Sequence, residues 1–173
     1  MNLYFRLLML YLGQWRRSKL GVWSTGTKTF RVMPNDLDLL GHMNNGRYLT
    51  LCDLGRMDLM LRSGYWKRLT AAGWYPVVAG QMVSYRRSLN PFQKFQLTSR
   101  MLGFDEHGVY IEHTFRTREH VCAQVHLRAR FLKKSGGKVN DDELRAFLGS
   151  DLAAMPEVPE WLSEWAASTR SLR

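Results

Sequence analysis

The chain has 173 residues, 45% of them hydrophobic, and its 25 Lys and Arg against 15 Asp and Glu leave a formal net charge of +10. That length is enough to bury a core in one domain, and the composition excludes a collagen-like or disordered polymer. The positive charge points to an anionic partner, namely nucleic acid, a phosphate-bearing cofactor or a membrane face, with a merely soluble basic surface as the alternative.

The chain contains neither an internal repeat nor a low-complexity tract, so a single domain over residues 1–173 is expected. Residues 3–12 are apolar but interrupted by Arg6. They are too few to span a bilayer and lack the basic leader and cleavage site of a signal peptide. An N-terminal helix over 1–17 is expected to pack on the domain or on a second subunit. The alternative is a peripheral membrane contact with Trp15, Arg16 and Arg17 at the headgroups. After a linker, residues 27–33 alternate, with Phe30 and Val32 opposite Thr29 and Arg31, and predict a strand that Pro34 ends.

Residues 35–41 carry turn chemistry. Asn44 or Asn45 is a good N-cap for a helix of about five turns. Its face is built from Tyr48, Leu51, Cys52, Gly55 and Leu59 at i, i+3, i+4 spacing, and Ser63-Gly64 should end it. A helical turn is expected within 66–72. Four strand patterns follow, at 77–89, 95–101, 109–117 and 121–131, and the short turns between them imply antiparallel neighbours. In the last, Val121, Ala123, Val125, Leu127, Ala129 and Phe131 alternate with Cys122, Gln124, His126, Arg128 and Arg130. Residues 141–149 and 160–168 read as short helices in a peripheral tail over 138–173. Cys52 and Cys122 form no close pair and no metal-ligand spacing, which implies buried free thiols in a reducing, cytoplasmic compartment.

The densest chemistry lies in residues 35–48, Asn-Asp-Leu-Asp-Leu-Leu-Gly-His-Met-Asn-Asn-Gly-Arg-Tyr. A loop carboxylate followed by a helix start is where an active site is expected. The first helical N–H groups have no partner within the helix and can stabilise an oxyanion. A carboxylate a few residues upstream can attack a carbonyl carbon or activate water.

The match of Asp36, Asp38, Gly41, His42, Asn44, Asn45 and Tyr48 to a D-x-D-x-x-G-H-x-N-N-x-x-Y pattern, with the order of elements, resembles the hot-dog-fold thioesterases of the 4-hydroxybenzoyl-CoA thioesterase type. The similarity is greatest to a subgroup with Asp-Leu-Asp in this position, and covers about residues 27–134. The resemblance implies an α+β hot-dog fold, a five-stranded antiparallel sheet wrapped around a long central helix, with extra N- and C-terminal helices. It implies hydrolysis of an acyl-CoA thioester, and a homodimer, or a dimer of dimers, joined edge to edge. It makes Asp38 the nucleophile or general base and the backbone N–H of about Asn45 the carbonyl-polarising group.

Each residue also has a plainer reading. Asp38 could be an ordinary turn residue, and Asp36 could brace the loop or act on Asp38 by like charge. His42 could orient water or a carboxylate, or bond to backbone. Asn44 is a cap that could also contact substrate, and Tyr48 lines the acyl pocket or belongs to the core. Asp53 is the alternative catalytic carboxylate, because another branch of these enzymes uses one at about that place. Its plainer reading is a solvated partner of Arg56. Arg86, Arg87, Arg128, Arg130, Lys133 and Lys134 are candidates for the CoA phosphates, with Arg128 and Arg130 placed together on one sheet face.

No metal and no resident cofactor are expected, coenzyme A being part of the substrate. Neither is a nucleic-acid partner, since the aromatics are few and no RNP-like motif is present. The rival function is a non-catalytic hot-dog module that binds acyl ligands or a protein. A hot-dog dehydratase would need a His-plus-acid pair in a different motif.

Overall fold

The computed structural model describes residues 3–13 and 17–169. Trp15 and Arg16 lie outside the described residues, and the expectation that they meet a membrane goes with them. In chain order, helix α1 (Leu3–Gly13) precedes strand β1 (Gly26–Arg31), a 3-10 turn at Pro34–Asp36, the long helix α2 (Asn45–Arg62) and the short helix α3 (Tyr65–Ala71). Strands β2 (Trp74–Tyr85), β3 (Lys94–Asp105), β4 (Gly108–Arg116) and β5 (Val121–Lys133) follow. Helix α4 (Asp141–Leu148), a 3-10 stretch at Gly149–Ala154 and helix α5 (Glu160–Ser168) complete it.

The five strands form one antiparallel sheet in the order β1-β3-β4-β5-β2. This corrects the expectation that the last four strands are neighbours in succession. β2 leaves β3 and pairs with β5, from Trp74 opposite Lys133 to Tyr85 opposite Ala123. The connection over residues 86–93 crosses the end of the sheet and is pinned there. The Phe92 N–H donates to Val32 O at 3.0 Å, and the Met43 N–H donates to Leu89 O at 2.9 Å. Leu89 is fully buried beneath it.

The inner face of the sheet packs on α2. Asn44 caps that helix by accepting the Gly46 N–H, and the chain turns out at Gly64 with φ 77°. Tyr48, Leu51, Cys52 and Leu54 meet Phe95, Leu97, Phe115, Ala123 and Val125 in one apolar cluster. Burying each large side chain of this kind stabilises the fold by about 1.5–3 kcal/mol. Gly55 sets the closeness of the contact: a Cβ there would stand 2.3 Å from Ser99 Oγ. Both cysteines are free and buried, as expected.

The C-terminal segment is not peripheral. It covers part of the outer face of the sheet, where Leu162 and Ala166 of α5 are fully buried against Leu102 and Tyr110. Residues 155–158 cross β3 at Gly103, where φ is 116° and an added Cβ would lie 2.9 Å from Pro156 O. The physical reason is simple: the outward residues of β3 and β4 include large apolar groups that need cover. α1 lays Leu7 and Leu10 on the core, while Tyr4, Phe5, Leu8, Met9, Tyr11 and Leu12 stay exposed. Among the described residues, no helix is long and apolar enough to cross a membrane.

Candidate active site

The loop between β1 and α2 folds back on itself. Leu37 and Met43 form an isolated antiparallel bridge, and Gly41 turns the tip with φ 76°. The Asp38 N–H donates to His42 O at 2.9 Å, and the Gly41 N–H donates to Asp38 O at 3.1 Å. Asp38 and the first residue of α2 therefore sit on opposite arms of one tight hairpin. The Asp38 carboxylate is partly exposed and accepts the N–H groups of Leu40 (2.9 Å) and His42 (3.4 Å). His42 is partly exposed beside it.

Asp36 does a different job. It is 1% exposed, and its carboxylate accepts the Met33 N–H at 2.9 Å and Arg6 Nη2 at 2.6 Å. Arg47 Nε stands 3.2 Å from its other oxygen. Its carbonyl accepts the Asn44 N–H at 2.8 Å. This residue joins α1, the loop and the start of α2, as a brace.

At the helix start, the Asn44 side chain takes the Gly46 N–H at 2.8 Å and its carbonyl takes the Arg47 N–H at 2.9 Å. The N–H of Asn45 has no partner among the described residues. It carries the positive end of an 18-residue helix dipole. The Tyr85 hydroxyl donates to Asn45 O at 3.1 Å and fixes this turn to the end of β2.

Tyr48, expected among the substrate-binding residues, is a core residue at 2% exposure. Its ring meets Tyr85 and Phe115 edge-on at 5.3 Å and 4.9 Å, and burial pushes its hydroxyl pKa up to about 12. Arg128 and Arg130 do project from one sheet face, but not onto a solvated surface. Arg128 is 4% exposed beneath α5, donating to Ala166 O at 2.7 Å, with its guanidinium over Trp165. Arg130 donates to His107 O at 3.2 Å. Both belong to the end of β5 away from the Asp38 loop, because the strand starts at Val121 beside β4 residue Arg116. The structure does not bring them to Asp38.

Asp53 is exposed and ion-paired with Arg56, as its spacing suggested. What spacing did not reveal is the neighbouring cavity. About 340 Å³ of mostly apolar space lies between α2, α3 and the inner face of the sheet. Met57, Met60, Trp66, Val77 and Ile111 line it, with Asp53 and Arg56 at one side. Its size is at the low end of small-ligand sites.

A second feature escaped the sequence reading. Ser99 Oγ lies 2.8 Å from His113 Nδ1, and both residues are buried under Gly55. Complete burial, reinforced by the Arg56 charge, holds the His113 pKa down at about 3. With no approach for a substrate, this pair is a core hydrogen bond. Its only trace in sequence is a histidine on the apolar side of the 109–117 strand.

The description "thioesterase-like superfamily" matches residues 32–166. Protein THEM6 of Xenopus laevis is 34% identical over 136 residues, covering 78% of this chain and 63% of its own length. The chain thus spans less than two thirds of that relative. Among solved structures, the YbaW probable thioesterase from Escherichia coli superposes with a TM-score of 0.66 at 22% identity, over 70% of this chain and 95% of its own. The protein SAV2348 from Staphylococcus aureus in complex with CoA gives 0.61 at 14% identity, over 84% and 96%. These likenesses show the hot-dog fold.

Proposed function

The chain belongs to the thioesterase-like superfamily, and we propose that it hydrolyses acyl-CoA thioesters with Asp38 as the reacting carboxylate. The observation that carries this reading is the hairpin closed by Leu37 and Met43. It holds a partly exposed carboxylate beside a helix start whose Asn45 N–H has no partner among the described residues. Thioester hydrolysis needs those two groups together.

In the reaction, a water oxygen attacks the thioester carbon and its proton passes to Asp38. The carbonyl oxygen takes up negative charge against the Asn45 N–H, at the positive end of α2. The tetrahedral intermediate collapses with loss of the C–S bond. The sulfur leaves as thiolate and recovers the proton from Asp38, giving free acid and CoA thiol. Direct attack by Asp38 would give an anhydride that water then opens, with the same products. A donor such as the Asn45 N–H typically contributes about a hundred- to a thousandfold in rate. His42 and Asn44 shape the hairpin around this chemistry.

A homodimer completes the site in this reading. The β2 edge is unpaired and carries exposed Tyr75, Val78 and Tyr85, and the Asp38 hairpin carries Leu39 and Leu40 fully out at its tip. A second copy pairing along β2 covers such groups. Two buried free thiols fit a reducing compartment, such as the cytoplasm.

The test is thiol release from a panel of acyl-CoAs of graded length. Asp38→Asn is expected to reduce turnover by at least a hundredfold while the protein stays folded and dimeric. A second reading has Asp53 as the reacting carboxylate, favoured by its place beside the apolar cavity. If Asp53→Asn loses turnover and Asp38→Asn keeps it, the roles exchange. If neither wild type nor variant releases thiol from any substrate, yet acyl ligands bind, the protein is an acyl-binding module.

A further inference from the structure

Cations stand at both ends of the sheet, and at one end they are mixed with acids, Lys133 pairing with Glu143 and Arg145 with Asp141. Asp105, Glu106, Asp141, Asp142, Glu143 and Asp151 lie in the β3–β4 turn and the segments after β5. The other end is where β1 hands over to the Asp38 hairpin and α2 begins. There the register sets Arg31 opposite Lys94 and Gln96 opposite Arg116.

Lys94, Arg116 and Arg118 line one open concavity of about 390 Å³ on this end, with Thr29, Gln96 and Thr117. No acid lines it. All three cations are exposed, and none is in an ion pair among the described residues. Among the described residues, several arginines elsewhere are committed to acids: Arg6 and Arg47 to Asp36, Arg17 and Arg62 to Asp58, Arg56 to Asp53, Arg100 to Glu112 and Arg145 to Asp141. Three like charges in one hollow repel each other unless an anion joins them. Guanidinium groups suit phosphate because their planar N–H fork binds two oxygens at once.

We propose that the Lys94–Arg116–Arg118 hollow binds phosphate groups, and that its ligand is the phosphorylated nucleotide half of coenzyme A. This rests on the acyl-CoA reading above and names where the carrier is held. It replaces Arg128 and Arg130, which α5 and the β3–β4 turn occupy. The chemistry of the hollow, a multiply charged phosphate ester, is shared by CoA and by anionic lipid headgroups. The hollow lies at the end of the sheet that carries Asp38 and the α2 N-terminus, which favours the carrier of the reacting thioester.

The experiment compares wild type with Arg116→Ala/Arg118→Ala. Both side chains are exposed, so the fold is retained, and circular dichroism checks it. Binding of 3′,5′-ADP and of free CoA is measured by titration calorimetry. Hydrolysis is measured on one acyl group carried by CoA or by phosphate-free N-acetylcysteamine. The variant is expected to bind 3′,5′-ADP and CoA at least tenfold more weakly. Its KM for the CoA thioester should rise about tenfold at unchanged kcat, with the N-acetylcysteamine thioester unaffected. Wild-type binding should also weaken steeply with salt.

Equal binding of 3′,5′-ADP by both proteins, or no binding by wild type, overturns the proposal. So does binding only to vesicles containing phosphatidic acid, lost in the variant, which would assign the hollow to lipid. If no thioester is hydrolysed but wild type alone binds the nucleotide, the hollow stands and the hydrolase reading fails.

Discussion

Arg6 of the N-terminal helix donates to Asp36, thirty residues on, at 2.6 Å, and the acceptor is almost wholly buried. The bond ties α1 to the hairpin that carries Asp38, although α1 itself contributes little buried surface beyond Leu7 and Leu10.

Breaking this brace leaves a charge without its partner. Removing one member of a buried pair typically costs about 3–5 kcal/mol, because the other charge stays desolvated. Here Arg47 and the Met33 N–H still hold Asp36, so Arg6→Met is expected to cost less than Asp36→Ala, which frees two arginines at once. Urea unfolding of both variants measures the order. Equal midpoints for Arg6→Met and wild type would mean that α1 does not brace the hairpin.

Gly55 should tolerate no side chain. An added Cβ crowds Ser99 Oγ, Leu97 Cδ2 and His113 Nδ1, so either the helix moves off the sheet or Ser99 turns away from His113 and gives up their hydrogen bond. Gly55→Ala is expected to destabilise by about 1–3 kcal/mol, despite the better helix propensity of alanine. A gain in melting temperature would show that the contact of α2 with Ser99 does not limit stability.

Stability should fall as the solution is acidified below neutral pH. His113 has its pKa held at about 3 in the folded chain, against 6.5 for the ordinary group, so the unfolded chain binds the proton first. The contribution is fully present above about pH 6.5 and is lost as pH falls towards 3, at up to about 1.4 kcal/mol per pH unit. Glu112 acts in the same direction over a lower window. Its hydrogen bond from His126 brings it down to about 2 from 4.5. Denaturant unfolding from pH 7 to 4 should show the slope in wild type, reduced in His113→Gln. An unchanged slope in the variant would assign the acid sensitivity elsewhere.

The tail should matter to the fold. Leu162 is fully buried on the sheet, whereas its neighbour Trp161 is 43% exposed and meets the His126 ring edge-on at 4.8 Å. Leu162→Ala is expected to cost about 2–5 kcal/mol. Trp161→Ala should cost under about 1.5 kcal/mol. Reversal of that order by thermal unfolding would show that Trp161, not Leu162, holds α5 to the sheet.

Much of this molecule was legible from neighbours along the chain. The Asn44 cap, the i, i+3, i+4 face of α2, the β3–β4–β5 meander and the limits of α5 depend on backbone hydrogen bonds and side chains within a few residues. The turn chemistry of the Asp38 loop and the helix start after it were legible for the same reason, since they are contiguous, whereas the bridge of Leu37 to Met43 that closes the loop into a hairpin was not. By itself the sequence determined these elements and the density of polar groups in residues 35–48.

Only the tertiary structure decided what distant residues do together. β2 pairs with β5 rather than β3 because an eight-residue crossing lets Leu89 bury beneath the hairpin, and nothing local distinguishes the two partners. Arg128 alternates like a solvated residue, and α5, some forty residues on, converts it into a buried one. The same folding brings Lys94, Arg116 and Arg118 from two strand ends into one hollow, and leaves an apolar cavity beside Asp53. Alternation gives the direction of a side chain from a strand, but its surroundings depend on which surfaces the whole chain must cover.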